Sequence, residues 1–166
     1  MNLVRIPKSN LDATWPLVEV AIQDALTYSG DQHNSQFVYD VIKKEEMQLW
    51  ILWDKEKETT LEKYHGVVVT EIIQRTLKKI CHIFIMTGEK REKWTSLIKI
   101  IEEFAKKNDC DGIELIARPG WQKVLQNYNY KRTHVVLEKQ INKIKDKYIC
   151  HSVVVIQVVV EVRLKM

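Results

Sequence analysis

Two carboxylates interrupt stretches that are otherwise built for burial. Glu71 breaks the run His65-Gly-Val-Val-Val-Thr-Glu-Ile-Ile73, which reads as a strand from the centre of a sheet. Glu114 breaks Ile113-Glu-Leu-Ile-Ala117, a short strand expected to lie parallel to its neighbour. A carboxylate in such a place can take a proton from a reacting group. Glu71 is the first candidate for that base and Glu114 the second. An ion pair is the alternative for either, with Arg118 the obvious partner of Glu114. Arg118 itself stands at the C-terminal end of a strand, where ligands bind in open α/β sheets. It is the leading candidate for a ligand contact; Trp121, three residues on, is the second and also has the size to fill the core. Gly88 with Lys90, Arg91 and Lys93 makes a third group, in which three positive charges flank the start of a helix. They form either a phosphate contact or a solvated charged turn.

Little else in the chain has the spacing of a reactive site. Cys81, Cys110 and Cys150 are too far apart for a disulfide framework, and no CxxC or HxxxH pair supports a metal site. The five histidines are scattered and read as structural. Charge is uneven: residues 1–74 hold seven basic and twelve acidic side chains, and residues 75–166 hold nineteen and ten, for a net charge of +4. The basic half is spread over several elements without interleaved aromatic residues, so it reads as a solvated face and not as a nucleic-acid surface. With 45% apolar and 29% charged residues the chain has the composition of a globular domain. No secretory signal opens it and no apolar run is long enough to span a membrane, so a cytoplasmic protein without a membrane partner is expected.

The candidate residues need a sheet to position them. Residues 2–6 read as a first strand. Leu11, Trp15, Val18, Ile22 and Leu26 recur at spacings of three and four and draw an apolar stripe on a helix. Ser9, Asn10 and Asp12 are good N-cap types, and Pro16 belongs in the first turn. A second helix follows Asn34-Ser35, with Phe37, Val38, Val41 and Ile42 inward. Strands are expected at 48–54, 65–73 and 77–87, joined as antiparallel hairpins, then a long helix from about Glu92 to Asn108. A short strand at 113–117, a helix around Trp121–Leu125 and a last strand over Tyr130–Lys139 complete the order. Gly120 is expected to relieve strain at the turn before that last helix. The fold class is α/β, a mixed sheet flanked by helices.

This order of elements, and several short words in it, resemble the GNAT superfamily of N-acyltransferases. Met47-Gln-Leu-Trp50, Val69-Thr-Glu-Ile72, Gly88 with Trp94, Cys110, Glu114, Ala117-Arg-Pro-Gly-Trp121 and Leu137-Glu-Lys139 are similar to a subgroup commonly encoded in phage genomes. The resemblance covers residues 1–140 and implies a central mixed sheet, acetyl-CoA as acyl donor, an amine acceptor and no metal. It also implies a [RQ]xxGx[GA] turn after the fourth strand, whose backbone would hold the CoA pyrophosphate. Aligning Leu97-Ile98 with the leucines after that motif puts Glu92 and Trp94 where its glycines belong. Gly88, Lys90, Arg91 and Lys93 are then left to hold phosphate by side-chain charge. The tyrosine that many members use as an acid corresponds to Val124-Leu125, with Tyr128 and Tyr130 slightly later. Two functions follow: an acyl-CoA-dependent N-acyltransferase, or a catalytically silent module of a phage whose partners are virion structural proteins.

Residues 141–166 fall outside the resemblance. Ser152–Leu164 is a valine-rich run without turn signals, either an extra strand or the product of a shifted reading frame, because glycine codons read one base out become valine codons. In that second case the native tail is Gly/Ser-rich and disordered. Sequencing the coding DNA decides between them, and an intact frame excludes the second.

Overall fold

Five strands carry the molecule: β1 (Asn2–Ile6), β2 (Met47–Trp53), β3 (Tyr64–Gln74), β4 (Lys79–Gly88) and β5 (Gly112–Leu115). They pair in sequence order. The first three pairings are antiparallel and the last, β4 with β5, is parallel. The computed structural model describes residues 1–28, 32–137 and 139. Among these, no helix is long and apolar enough to cross a membrane.

Alternation along the central strands sends side chains to two separate cores. Leu49, Ile51, Val67 and Val69 face α1 (Leu11–Thr27) and α2 (Ser35–Lys43). Trp50, Leu52, Val68, Cys81 and Ile83 face α4 (Ile98–Lys107), with Leu125 of α5 (Pro119–Leu125). The expected stripe on α1 is the observed one: Leu11, Trp15, Val18, Ile22 and Leu26 are all buried. Trp94, Ile98, Ile101 and Ala105 are buried likewise against the second face. Between the layers, Trp50 Nε1 donates to Thr70 Oγ1 at 3.0 Å and Thr70 Oγ1 donates to Gln48 Oε1 at 2.9 Å. Trp50, Thr70 and Gln48 thus satisfy one another across β2 and β3. A four-residue helix, α3 (Thr60–Lys63), sits in the charged β2–β3 connection behind a capping box of Thr59 and Glu62.

Several expectations are corrected. Pro16 lies in the second turn of α1, not the first. It is tolerated because it and Asp12 are exposed, so the Asp12 carbonyl that loses its helical donor can turn to water. Asp12 is not a cap: its carboxylate accepts from Tyr39 Oη at 2.6 Å and lies 3.6 Å from Lys43 Nζ, tying α1 to α2. Phe37 is partly exposed and stacks on His33, ring centroids 4.4 Å apart. The long helix begins later than expected, because Arg91–Lys93 and Thr95–Leu97 form two 3-10 turns before α4 starts at Ile98. Residues 130–137 are not in a strand: no neighbour pairs with them, and Val135 and Leu137 are exposed. An alternating pattern fits a strand only where a partner edge receives it. Gly120 does not relieve strain, for its φ is not left-handed and a Cβ there would meet nothing within 4 Å. Glu138, residues 140–166, the valine-rich run and Cys150 among them, lie outside the described residues.

The tight glycine is Gly66. A Cβ on it would overlap the Thr87 carbonyl oxygen and stand 2.6 Å from Gly88 Cα and 2.8 Å from Leu52 Cδ1. Gly66→Ala should cost about 2 kcal/mol, in the range of overpacked cores, and lower the melting temperature by about 5 °C. Gly120→Ala, at a helical site with room for a Cβ, should raise it by about 1–4 °C. Thermal unfolding of both variants checks the pair.

Candidate active site

The β3–β4 hairpin turns at Arg75–Lys78, where the Arg75 N–H donates to the Lys78 carbonyl at 2.8 Å. This register sets Glu71 opposite His82, and the parallel β4–β5 ladder sets His82 beside Glu114. Three chemically active side chains from three adjacent strands therefore stand in one row. Glu71 shares the parity of Val67 and Val69, and His82 and Glu114 alternate with residues of the α4 core, so the row lies on the α1–α2 face.

His82 Nδ1 is 3.8 Å from Glu71 Oε1 and 3.6 Å from Glu114 Oε1. Arg75 hydrogen-bonds and ion-pairs with Glu114. Burial, with the nearby Glu114 charge second, raises the pKa of Glu71 above the usual carboxylate range. Burial lowers the pKa of His82; Glu114 opposes that shift and Arg75 adds to it. The expected base candidates Glu71 and Glu114 are thus brought together, but the partner of Glu114 is Arg75 and not Arg118. His82 was passed over as a scattered histidine, although the hairpin register alone would have placed it across from Glu71.

The row sits where the sheet opens. Val69 lies opposite Ile85 and Thr70 opposite Ile83, so Phe84 is an extra residue in β4 with no partner on β3. The β4–β5 ladder runs from Ile80–Gly112 to Ile83–Leu115 and stops just before that bulge. β4 then continues to Gly88, while β5 gives way to residues 116–118 and α5. Past Ile83–Leu115 no ladder joins the two strands, and His82 and Glu114 lie one position before this unpaired stretch, the β4–β5 cleft. Across Phe84, a hollow of about 370 Å³ is lined by Gln23, Gln32, His33, Asn34 and Phe37. The His33 ring is 5.8 Å from that of Phe84, which is 6.3 Å from that of His82.

The other candidates lie at the end of β4 or on the segments that follow β4 and β5. The Arg118 guanidinium stands 4.2 Å above the Tyr28 ring, joining the start of α5 to the end of α1. Trp121 is 6.0 Å from Trp94, and the Arg91 guanidinium lies 5.4 Å over its ring. Gly88 is needed for packing, because a Cβ there would stand 2.7 Å from the His65 carbonyl and 3.1 Å from Gly66 Cα. Lys90 adopts a left-handed backbone at φ 49°. The N–H groups of Glu89, Lys93, Trp94 and Leu97 are spent on carbonyls within or beside this turn. The Trp94 indole N–H closes it by donating to the Glu89 carbonyl at 2.7 Å. Charge here comes from the exposed side chains of Lys90, Arg91 and Lys93.

Tyr128 and Tyr130 pack on the opposite, α4 face. The Tyr130 hydroxyl is buried beside Glu102, and burial with the Glu102 charge raises its pKa. Cys81 is also on that face, its thiol pushed up to about 12 by burial, too high for a nucleophile. Among the described residues no group of three or more His, Cys, Asp or Glu side chains is placed to hold a metal ion.

No protein-family model matches the sequence, and no curated protein matches it. Solved structures do resemble the fold. A probable acetyltransferase superposes with a TM-score of 0.62 at 13% identity, covering 89% of this chain and 100% of that one. Glucosamine-6-phosphate N-acetyltransferase from Arabidopsis thaliana gives 0.60 at 12%, covering 85% and 98%. AAC(6')-Iy, solved with a CoA-containing bisubstrate analogue, gives 0.60 at 12%, covering 86% and 98%. The mixed sheet flanked by helices is therefore the GNAT acyltransferase fold.

Electrostatics of the row give a pH signature. A carboxyl whose pKa is raised in the folded state costs stability once pH exceeds that raised value, and costs nothing below its unfolded value. Glu71→Gln removes this cost. It should raise the melting temperature at pH 8 by about 2 °C, the effect of less than about 1 kcal/mol in a domain of this size. The gain should vanish as pH falls through the raised pKa of Glu71 toward its unfolded value. Melting curves of both proteins from pH 4 to 8 check it.

Proposed function

We propose that this protein is an acyl-CoA-dependent N-acyltransferase that transfers an acyl group to an amine on a small molecule or a protein. The observation that carries the reading is the row Glu71, His82 and Glu114 at the point where β4 parts from β5. An amine arrives as an ammonium ion and must lose a proton before its nitrogen can attack. With His82 neutral, the row and Arg75 together carry two negative charges and one positive, so an ammonium is attracted and one proton can be taken up. The hollow beside Phe84 is the place for the acceptor. The similarity in fold to acetyltransferases, one of them solved with a CoA-containing analogue, supports acetyl-CoA as the donor.

The donor fits this chain through side chains. Lys90, Arg91 and Lys93 offer positive charge for its phosphates at the end of β4, and the opening between β4 and β5 leads from there toward the row. When bound, the thioester supplies the acyl carbon and a good leaving group. The protein supplies charge, orientation and the proton acceptor. No residue needs to carry the acyl group, so a Ser/His/Asp or Cys/His set is unnecessary for direct transfer.

A second reading has its own observation. Trp94 and Glu92 occupy the turn that a glycine-lined cradle would need, and the indole closes it. On that reading the protein is a silent GNAT-fold module encoded by a phage, with virion structural proteins as partners.

Acetyl-CoA separates the two. At about a hundred times its dissociation constant it should stabilise the fold by about 2.7 kcal/mol, raising the melting temperature by about 5–10 °C. Reversing the charge in Lys90→Glu with Lys93→Glu should abolish most of that shift without lowering the melting temperature of the free protein. Absence of any shift at millimolar acetyl-CoA would favour the silent module, and co-purification with virion proteins would support it.

A further inference from the structure

We propose that the group accepting the amine's proton is the imidazole of His82, with Glu71 and Glu114 holding and polarising it and neither serving as the base. The proposal rests on the N-acyltransferase reading and assigns a residue within it. His82 is the middle member of the row, and both carboxylates face one ring nitrogen, Nδ1, at 3.8 and 3.6 Å. Two negative charges around Nδ1 favour the tautomer that keeps its proton there and leaves the lone pair on Nε2. Glu114 is already engaged by the Arg75 guanidinium, to which its Oε1 is committed. Glu71 stands on β3, one strand (about 4.8 Å) farther from the cleft, with Met47 of β2 on its other side.

His82 also has the position a base requires. It lies two residues before Phe84, on the strand that forms one wall of the cleft, and its ring approaches the aromatic edge shared with His33 and the hollow. The charged and titratable groups around it are Glu71 from β3, Glu114 from β5, Arg75 from the hairpin turn and, across Phe84, His33 before α2. Burial of the ring keeps it neutral, and therefore able to accept, at physiological pH. The imidazolium that forms is then met by two carboxylates.

The step balances. The ammonium gives one proton to His82, and the freed nitrogen lone pair forms the bond to the acyl carbon of the thioester. The carbon–sulfur bond breaks, its electron pair leaves with sulfur, and the second proton lost by nitrogen goes to that thiolate. His82 returns its own proton to solvent. Glu71 is a positioning residue, because it acts on the ring and not on the substrate.

The test uses the full chain with acetyl-CoA and three primary amines, glucosamine, spermidine and a lysine-containing peptide, and follows thiol release from pH 6 to 9. Wild type should lose kcat/KM as pH falls through one ionisation, which 15N NMR of the imidazole should assign to His82 with its proton on Nδ1. His82→Gln should lose at least about a hundredfold in kcat/KM, the scale of one general base. That ionisation should vanish from its profile while its acetyl-CoA melting shift is unchanged. Glu71→Gln should lose less kcat/KM than His82→Gln, with the midpoint moved to lower pH. A His82→Gln variant that retains the wild-type profile overturns the proposal, as does a Glu71→Gln variant that loses as much as His82→Gln. A wild type with neither transfer nor an acetyl-CoA shift overturns the acyltransferase reading itself, and this role with it.

Discussion

β4 must pair with β3 along almost its whole length but with β5 over only four residues, and Phe84 is where those two demands separate. Inserting one unpaired residue into a strand bends it and adds local twist. Here the bend carries the second half of β4 away from β5, and it turns Phe84 and Ile85 both toward the α1–α2 core. The parting cannot close, because the core on one side and the β3 ladder on the other fix β4 in place. Gly66 and Gly88 show how firmly. Their backbones approach so closely that neither site has room for a Cβ, which locks the far end of β4 against β3 while its other edge is open. The cleft is thus a product of strand pairing, and rests on no flexible loop.

The charged row is the chemical counterpart of that mechanical feature. Two carboxylates, an imidazole and a guanidinium on a sheet face would be costly to bury completely, since lost hydration exceeds what ion pairs return. They are tolerated because the row stays partly open: the side chains of Glu71 and Glu114 are 26% and 29% exposed, that of His82 only 12%. The imidazole, the member least penalised when neutral, takes the most buried place. Arg75 neutralises one carboxylate and leaves the other unmatched. The set is therefore one positive charge short at neutral pH, and either a proton or a bound ammonium supplies it.

Much of the architecture was legible in the sequence because it follows from periodicity. The α1 stripe, the largely buried β2, the hairpins and the parallel pairing of β5 with its neighbour were each written in the pattern of residues. Glu71 and Glu114 were legible too, as charges in apolar strands. What failed was whatever depends on a partner elsewhere in the chain. Residues 130–137 have a strand's pattern but pair with no edge of the sheet. The choice of Arg75 over Arg118 for Glu114 follows from where the hairpin turn ends, and Arg118 is occupied by Tyr28. His82 was hidden for a related reason: a lone histidine carries no signal until the four-residue turn at Arg75–Lys78 fixes its register with Glu71. The bulge at Phe84 has no local marker either, since no glycine or proline announces it.

The turn after β4 sets a different kind of limit. A helix start with open backbone amides binds phosphate with dipoles that are fixed before the ligand arrives. In this chain the Lys93, Trp94 and Leu97 amides are bonded within the turn, and the Trp94 indole ties it to the Glu89 carbonyl. Arg91 is stacked on Trp121, which leaves Lys90 and Lys93 as the unstacked charges. Lysine ammonium groups on flexible stems must be ordered on binding and are strongly hydrated, so each contributes less than a preorganised amide. They are also screened by salt, which fixed amides in a dry cradle resist. A donor held this way is held loosely. The free energy that positions the reaction must then come chiefly from the β4–β5 cleft and from the acceptor side, where the charged row, Phe84 and the His33–Phe37 stack are already in place.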